Sequence, residues 1–190
     1  MTLKRVREAF AQSVEAKQAL TEDDHAMVLD IAETMAEALE RDNKVIWMGN
    51  GGSAADAQHL AAELVSKFYM ERKALASLAL SCNTSILTAV GNDYGFEHVF
   101  ERQIEAVARP GDVVVGISTS GNSPNVLRAI EKARKMGCIT VGMTGRKGGK
   151  LAQSVDLLFS APSDDTPRIQ EVHITAGHII CEIVESTVFG

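Results

Sequence analysis

Cysteine is scarce: Cys82, Cys138 and Cys181 are the only three in 190 residues, and no two form a Cys-x-x-Cys pair. That number and spacing exclude a disulfide framework and read as reduced, packed thiols of an intracellular protein. Basic charge is also short. Nineteen Lys and Arg face 25 Asp and Glu, a formal net charge of −6, which argues against a nucleic-acid surface. The densest basic cluster, "GRKGGK" (145–150), reads as a solvated loop. The N-terminal "MTLKRVREAF" lacks the apolar centre of a leader peptide, and no stretch approaches membrane-spanning length. No membrane and no nucleic-acid partner are expected, and the expected location is cytoplasmic. Internal repeats and low-complexity linkers are missing, so one domain is expected.

What is present is an apolar fraction of 45%, ample for a core, arranged in an alternating pattern. Helical spacing predicts a front pair at 3–20 and 23–41, carried by Val6, Phe10, Val14 and Leu20, then Met27, Ile31, Met35 and Leu39. "TEDD" between them offers a cap for the second helix. This pair, residues 1–42, is expected to serve packing or assembly, with an α/β core at 43–190. Strands are predicted at 44–48, 76–80, 112–117, 138–143 and 155–159, and helices at 53–68, 84–91, 96–108, 124–136 and 167–187. Near-continuous apolar strands alternating with helices predict a three-layer αβα sandwich around five parallel strands. In such sheets a ligand sits outside the carboxyl ends of the strands, so the loops there matter most.

Two of those loops are suited to a phosphate. After the first strand comes Asn50-Gly51-Gly52-Ser53, where glycines allow close backbone approach and Ser53 with Asp56 gives a capping-box pattern. After the third comes "STSGNSPN", with Ser123 as N-cap and Pro124 in the first turn. Ser118, Thr119, Ser120 and Ser123 add four hydroxyls to free N–H groups at a helix start, an anion site without arginine. A capped turn is the plain alternative for the same residues. No Gly-Lys-Ser/Thr follows the glycines, and GxGxxG is incomplete because Ala54 and Ala55 stand where a glycine is needed. A nucleotide cofactor is therefore not expected.

His59 and Glu63 follow on the first loop's helix, at i and i+4 on one face. On the last helix, Ile169, Ala176, Ile180 and Ile183 form one apolar stripe with His173 packed beside it. His178 lies on the opposite side, flanked by Gln170, Ile174 and Cys181. A helix apolar on two sides is buried on two sides, which implies a subunit interface and a site shared across it. Gly91-Asn92-Asp93 reads as a turn ending the helix after the second strand.

Five stretches together, "GNGGSAADAQHLAAEL", "GNDYGF", "GDVVVGISTSGNSPNV", "MTGRKGG" and "RIQEVHITAGH", resemble the sugar isomerase (SIS) domain family, and in particular its phosphoheptose isomerases, along essentially the whole chain. The resemblance implies conversion of sedoheptulose 7-phosphate to D-glycero-D-manno-heptose 7-phosphate, towards ADP-heptose for surface polysaccharide. It implies that Asn50, Gly51, Gly52 and Ser53 lie against the sugar and that Ser118, Thr119, Ser120 and Ser123 hold the phosphate. Asn92, Asp93 and Gln170 would bond the substrate, with Glu63 as general base and His178 as its acid–base partner. The implied ligands of one Zn2+ per subunit are His59, Glu63, Gln170 and His178, and the implied assembly is a homotetramer. Gln170 and His178 stand eight residues apart, roughly 12 Å along a helix, which strains a single-ion reading. Lys67 and Pro167 depart from common family sequences, where many members have arginine and some aspartate. Two rival readings are a non-catalytic SIS protein, either a replication-initiator-binding factor or a sugar-phosphate sensor, and an isomerase of a shorter sugar phosphate. The Glu63/His178 pair speaks against the first.

Overall fold

The apolar runs predicted at 44–48, 112–117 and 138–143 are almost wholly buried, and that requires helices on both faces. The computed structural model describes residues 2–190. Its elements are α1 (Leu3–Gln18), α2 (Glu22–Glu40), β1 (Val45–Gly49), α3 (Gly52–Val65), β2 (Ser77–Ala79), α4 (Thr84–Tyr94), α5 (Glu101–Val107), β3 (Val113–Ile117), α6 (Pro124–Lys135), β4 (Ile139–Gly145), β5 (Leu157–Ala161) and α7 (Thr166–Phe189). All strand pairs are parallel, in the order β2-β1-β3-β4-β5, as the αβα sandwich reading expects. Alternate residues feed two cores. Val45, Trp47, Val113, Val115 and Ile117 join α2, α3 and α7, whereas Ile46, Met48 and Val114 join α5 and α6.

The front pair divides in the structure. Thr21 and Asp24 form a reciprocal capping box at the start of α2, which then buries Val28, Ile31, Met35 and Leu39 in the first core. Helix α1 buries only Ala16 and leaves Leu3, Val6, Phe10 and Val14 between 51% and 72% exposed.

Several sequence expectations require correction. Ser53 and Asp56 form no capping box, because α3 begins one residue earlier with Gly51 as N-cap, at φ +56°, and Ser53 is buried. The predicted 96–108 helix splits into a 3-10 turn at Phe96–His98 and α5, since buried Val99 and Phe100 pin the chain to the core between them. Strand β2 is only three residues long and pairs with β1 alone. The α4 helix runs through Asn92 and Asp93 until Gly95, at φ +96°, ends it. Finally, α7 has 24 residues and a mean hydropathy of 1.2 over its best window, long and apolar enough by length and composition to cross a membrane. It packs instead on the sheet between α2 and α3, which is why it is apolar on more than one side. His173 is fully buried on it and donates to the Thr144 carbonyl (2.9 Å). Burial lowers its pKa to about 4 against a smaller opposite pull from that carbonyl, so the ring is neutral.

Helices α3 and α7 run side by side in the same direction: Gly52 meets Gln170, Leu60 meets Gly177, and His59 meets His178. The approach is close because Gly177 has no side chain. A Cβ there would lie 2.6 Å from both δ carbons of Leu60.

Candidate active site

With this strand order, the order in which the chain adds strands to the sheet reverses between β1 and β3, and the carboxyl ends of these two parallel strands open a crevice. The loop after β1 carries Asn50, Gly51 and Gly52, and the loop after β3 carries residues 118–123. A reciprocal amide pair clips them together. Asn50 Nδ2 donates to Asn125 Oδ1 and Asn125 Nδ2 donates to Asn50 Oδ1, both at 2.9 Å, with Asn125 buried. Asn50 keeps one N–H and one lone pair for a ligand. Asn125 stands in the "STSGNSPN" stretch, but the sequence alone does not single it out, because its partner is 75 residues away. A cavity of about 380 Å³ opens beside the pair, lined by Asn50, Phe96, Glu97, Ser123, Pro124 and Arg128.

In the β3 loop, Ser123 is the N-cap residue and Pro124 opens α6, as expected, but the Ser123 hydroxyl pairs with that of Ser118 (2.9 Å) rather than capping the helix. Its neighbour is the "GRKGG" loop, which is more than solvated chain. Gly121 packs directly on Gly148 and Gly149, all three at positive φ, and the Leu151 N–H donates to the Gly121 carbonyl. No side chain would fit between these turns. The loop also brings cations. Arg146 and Lys147 line a cavity of about 290 Å³ with Thr119, Ser120 and Asn122, while Asp164 stands 3.9 and 3.7 Å from them. Arg146 thus arrives beside the β3 loop from a stretch the sequence does not place nearby.

Further along α3, Gly52, Asp56, His59 and Glu63 fall on one stripe, spaced by four, three and four residues. On α7, Gln170, Ile174 and His178 face it. His59 Nε2 lies 2.8 Å from His178 Nε2 and 3.1 Å from Glu63 Oε1. One imidazole nitrogen has either one proton or one lone pair, so it makes at most one full hydrogen bond to these two neighbours. A cation at the common focus satisfies all three. One donor atom from each of the three side chains lies within 4.8 Å of the others, and two His with one Glu is a donor set of catalytic zinc sites. These residues fit such an ion. Asp56, one turn earlier, has an Oδ2 buried without a hydrogen-bond partner among the described residues. Burial raises its pKa to about 6, against a lowering pull from His59.

The structure thus brings His59, Glu63 and His178 together, with Gln170 about 12 Å up α7 against Gly52. Ser53 points inward. Asn92 and Asp93 are exposed at the end of α4 and bond each other (2.8 Å).

Comparison with known proteins finds relatives that span most of the chain. The SIS domain family matches residues 9–145. The chain is 54% identical over 186 residues to a phosphoheptose isomerase of Aquifex aeolicus, covering 98% of this chain and 97% of that one. It is 59% identical over 160 residues to one from Geotalea daltonii, covering 84% and 83%. The solved phosphoheptose isomerase of Neisseria gonorrhoeae superposes with a TM-score of 0.88 at 46% identity, over 96% of this chain and 98% of that one. That of Francisella tularensis gives 0.92 at 35%, over 98% and 100%. The chain belongs to the phosphoheptose isomerase family of SIS-domain proteins.

Proposed function

We propose that the chain converts sedoheptulose 7-phosphate to D-glycero-D-manno-heptose 7-phosphate, the first step towards ADP-heptose. The observation that carries this reading is the convergence of Glu63 with His59 and His178 on the stripe that begins at the glycine loop. From Gly52 to His59 that stripe is about 10 Å long, comparable to an extended seven-carbon chain with a terminal phosphate. The hydroxyls of Ser118, Thr119, Ser120 and Ser123 and the N–H groups opening α6 hold the phosphate. Asn50, Gly51, Gly52, Ser53, Asn92, Asp93 and Gln170 hold the sugar.

Isomerisation moves one proton from C1 to C2 and another from O1 to O2, through an enediol. Glu63 removes the proton at C1 and returns it to C2. His178 carries the proton between the oxygens. Binding of the distant phosphate supplies energy that holds the reacting carbons between them. Zn2+, one per subunit, would be held by His59, Glu63 and His178 and would polarise the carbonyl. Gln170, about 12 Å along α7 from His178, would join that ion more readily from a neighbouring subunit than from the same chain.

That sharing agrees with assembly as a homotetramer. The exposed apolar stripe of α1 (Leu3, Val6, Phe10, Val14) and an α4 helix with no buried residue are faces for further copies. In this reading the hairpin 1–42 serves packing through α2 and assembly through α1, and 43–190 is the catalytic core. Three free thiols, two of them buried, support a reducing, cytoplasmic location. A non-catalytic binding protein has no use for the clustered base and imidazoles, so that alternative is not favoured.

The test is turnover of purified, zinc-defined protein on sedoheptulose 7-phosphate beside hexose and pentose phosphates, with Glu63→Gln as control. Preferred use of the heptose and loss of turnover in the variant are expected. Absence of turnover with or without zinc would refute the assignment.

A further inference from the structure

Behind the acid–base groups lies an ion pair that substrate binding does not use. Arg72 and Glu185 are each only 2% exposed, and Arg72 Nε donates to Glu185 Oε1 at 2.8 Å. Every arm of the pair is occupied. Glu185 also accepts the backbone N–H groups of Phe68 (2.8 Å), Tyr69 (2.6 Å) and Met70 (2.8 Å). Arg72 donates to the carbonyls of Glu63 (3.0 Å), Leu64 (2.8 Å), Ser66 (3.2 Å) and Lys73 (2.9 Å). Burial pushes the Glu185 carboxyl upward, but the three N–H groups and Arg72 outweigh it and hold its pKa at about 2. It is a permanently charged strut, not a switch.

Buried ion pairs are a poor source of stability, since well-packed apolar residues do as well or better. What this one supplies is geometry. The carbonyls of Glu63 and Leu64 belong to the last turn of α3, where carbonyls lack intrahelical donors, and a guanidinium there also complements the negative end of the helix dipole. Glu185 stands seven residues after His178, on the same face of α7. The Phe68 ring, whose N–H is tied to Glu185, lies 5.9 Å from the His178 ring. The knot therefore reaches Glu63 through its backbone and His178 through a packed ring.

We infer that Arg72 and Glu185 are positioning residues for isomerisation, fixing Glu63 and His178 relative to each other without touching the substrate. This rests on the reading of those two as the acid–base pair. The sequence hides it because Arg72 and Glu185 are 113 residues apart and each looks like an ordinary charge on a helical segment.

Glu185→Gln keeps the shape and removes the charge, and Arg72→Lys keeps the charge and removes the fork. Phe68→Leu leaves the pair intact and removes only the ring against His178. All three are assayed well below their melting temperatures. The expected result is a fall in kcat of about 10- to 100-fold, with KM within twofold. The ratio of solvent deuterium incorporated to product formed should change, and the His178 ring resonance should shift in labelled protein. Unchanged kcat per folded site, deuterium ratio and His178 resonance in the variants would reduce the pair to a structural role and overturn the inference. If Glu185→Gln does not fold, the other two variants decide. The resonance needs no substrate, so an inactive wild type would refute the proposed reaction while the positioning claim is still judged by the shift.

Discussion

Substitution Gly177→Ala tests whether the spacing of α3 and α7 sets the site. The new methyl would lie 2.6 Å from both Leu60 δ carbons and 3.1 Å from Cγ. Because both branches are struck, rotation of fully buried Leu60 cannot relieve the clash. Carbon atoms pack at about 3.5–4.0 Å, so the helices must part by roughly 1 Å. Overpacking of this kind costs about 1–3 kcal/mol, and replacing a helical glycine by alanine returns about 1 kcal/mol. The net loss of about 0–2 kcal/mol lowers Tm by no more than about 8 °C in a chain of this size. Gly177 precedes His178 and Leu60 follows His59, so the same 1 Å opens the 2.8 Å contact between the two imidazoles. Misplacement on that scale costs about 100-fold in rate. Calorimetry and steady-state kinetics should therefore show a folded protein with a disproportionate loss of kcat, and Leu60→Ala combined with Gly177→Ala should recover part of it. Wild-type kcat in Gly177→Ala would refute the idea that this close approach sets the histidine spacing.

Asn125→Ala removes the clip on Asn50. KM for the sugar phosphate should rise about tenfold with a stability loss of about 1–2 kcal/mol, and an unchanged KM would separate the clip from binding. His173 gives a pH dependence. Its folded pKa of about 4 lies below the unfolded value of 6.5, so the unfolded chain takes up the proton first and stability is lost as pH falls from 6.5 towards 4. Urea titration should show about 2 kcal/mol less stability at pH 5 than at pH 7 from this group, and His173→Asn should remove that increment. Removal of metal by chelation should abolish turnover, and zinc alone should restore it. Metal analysis should find one zinc per chain, lost in His59→Ala and His178→Ala.

The sheet was legible because its central strands are apolar at most positions and buried, as parallel strands covered on both faces require. The turns after β1 and β3 were legible for a local reason: glycine, serine and proline fix backbone behaviour within a few residues. What escaped reading depends on partners distant in sequence. Asn125 is explained only by Asn50, Arg72 only by Glu185, and Arg146 only by a cavity whose other wall comes from the β3 loop. The Ser53–Asp56 capping pattern misled because Gly51 at φ +56° starts the helix without a side-chain cap. Asn92 and Asp93 were read as a turn because Gly91 looks like a helix end, whereas the helix stops only at Gly95. Helix α7 exceeded the expected apolar length because α2, α3 and the sheet all cover it.

The central claim is that Glu63 carries a carbon-bound proton between C1 and C2 of a heptose phosphate. Its most direct measurement is the reaction of sedoheptulose 7-phosphate in deuterated water, followed by NMR of the aldose product. Product with deuterium at C2 in the wild type, and neither product nor exchange in folded Glu63→Gln, is the expected result. Product formation at substantial rate in Glu63→Gln, or no exchange at C1 or C2 during wild-type turnover in any solvent mixture, would contradict it.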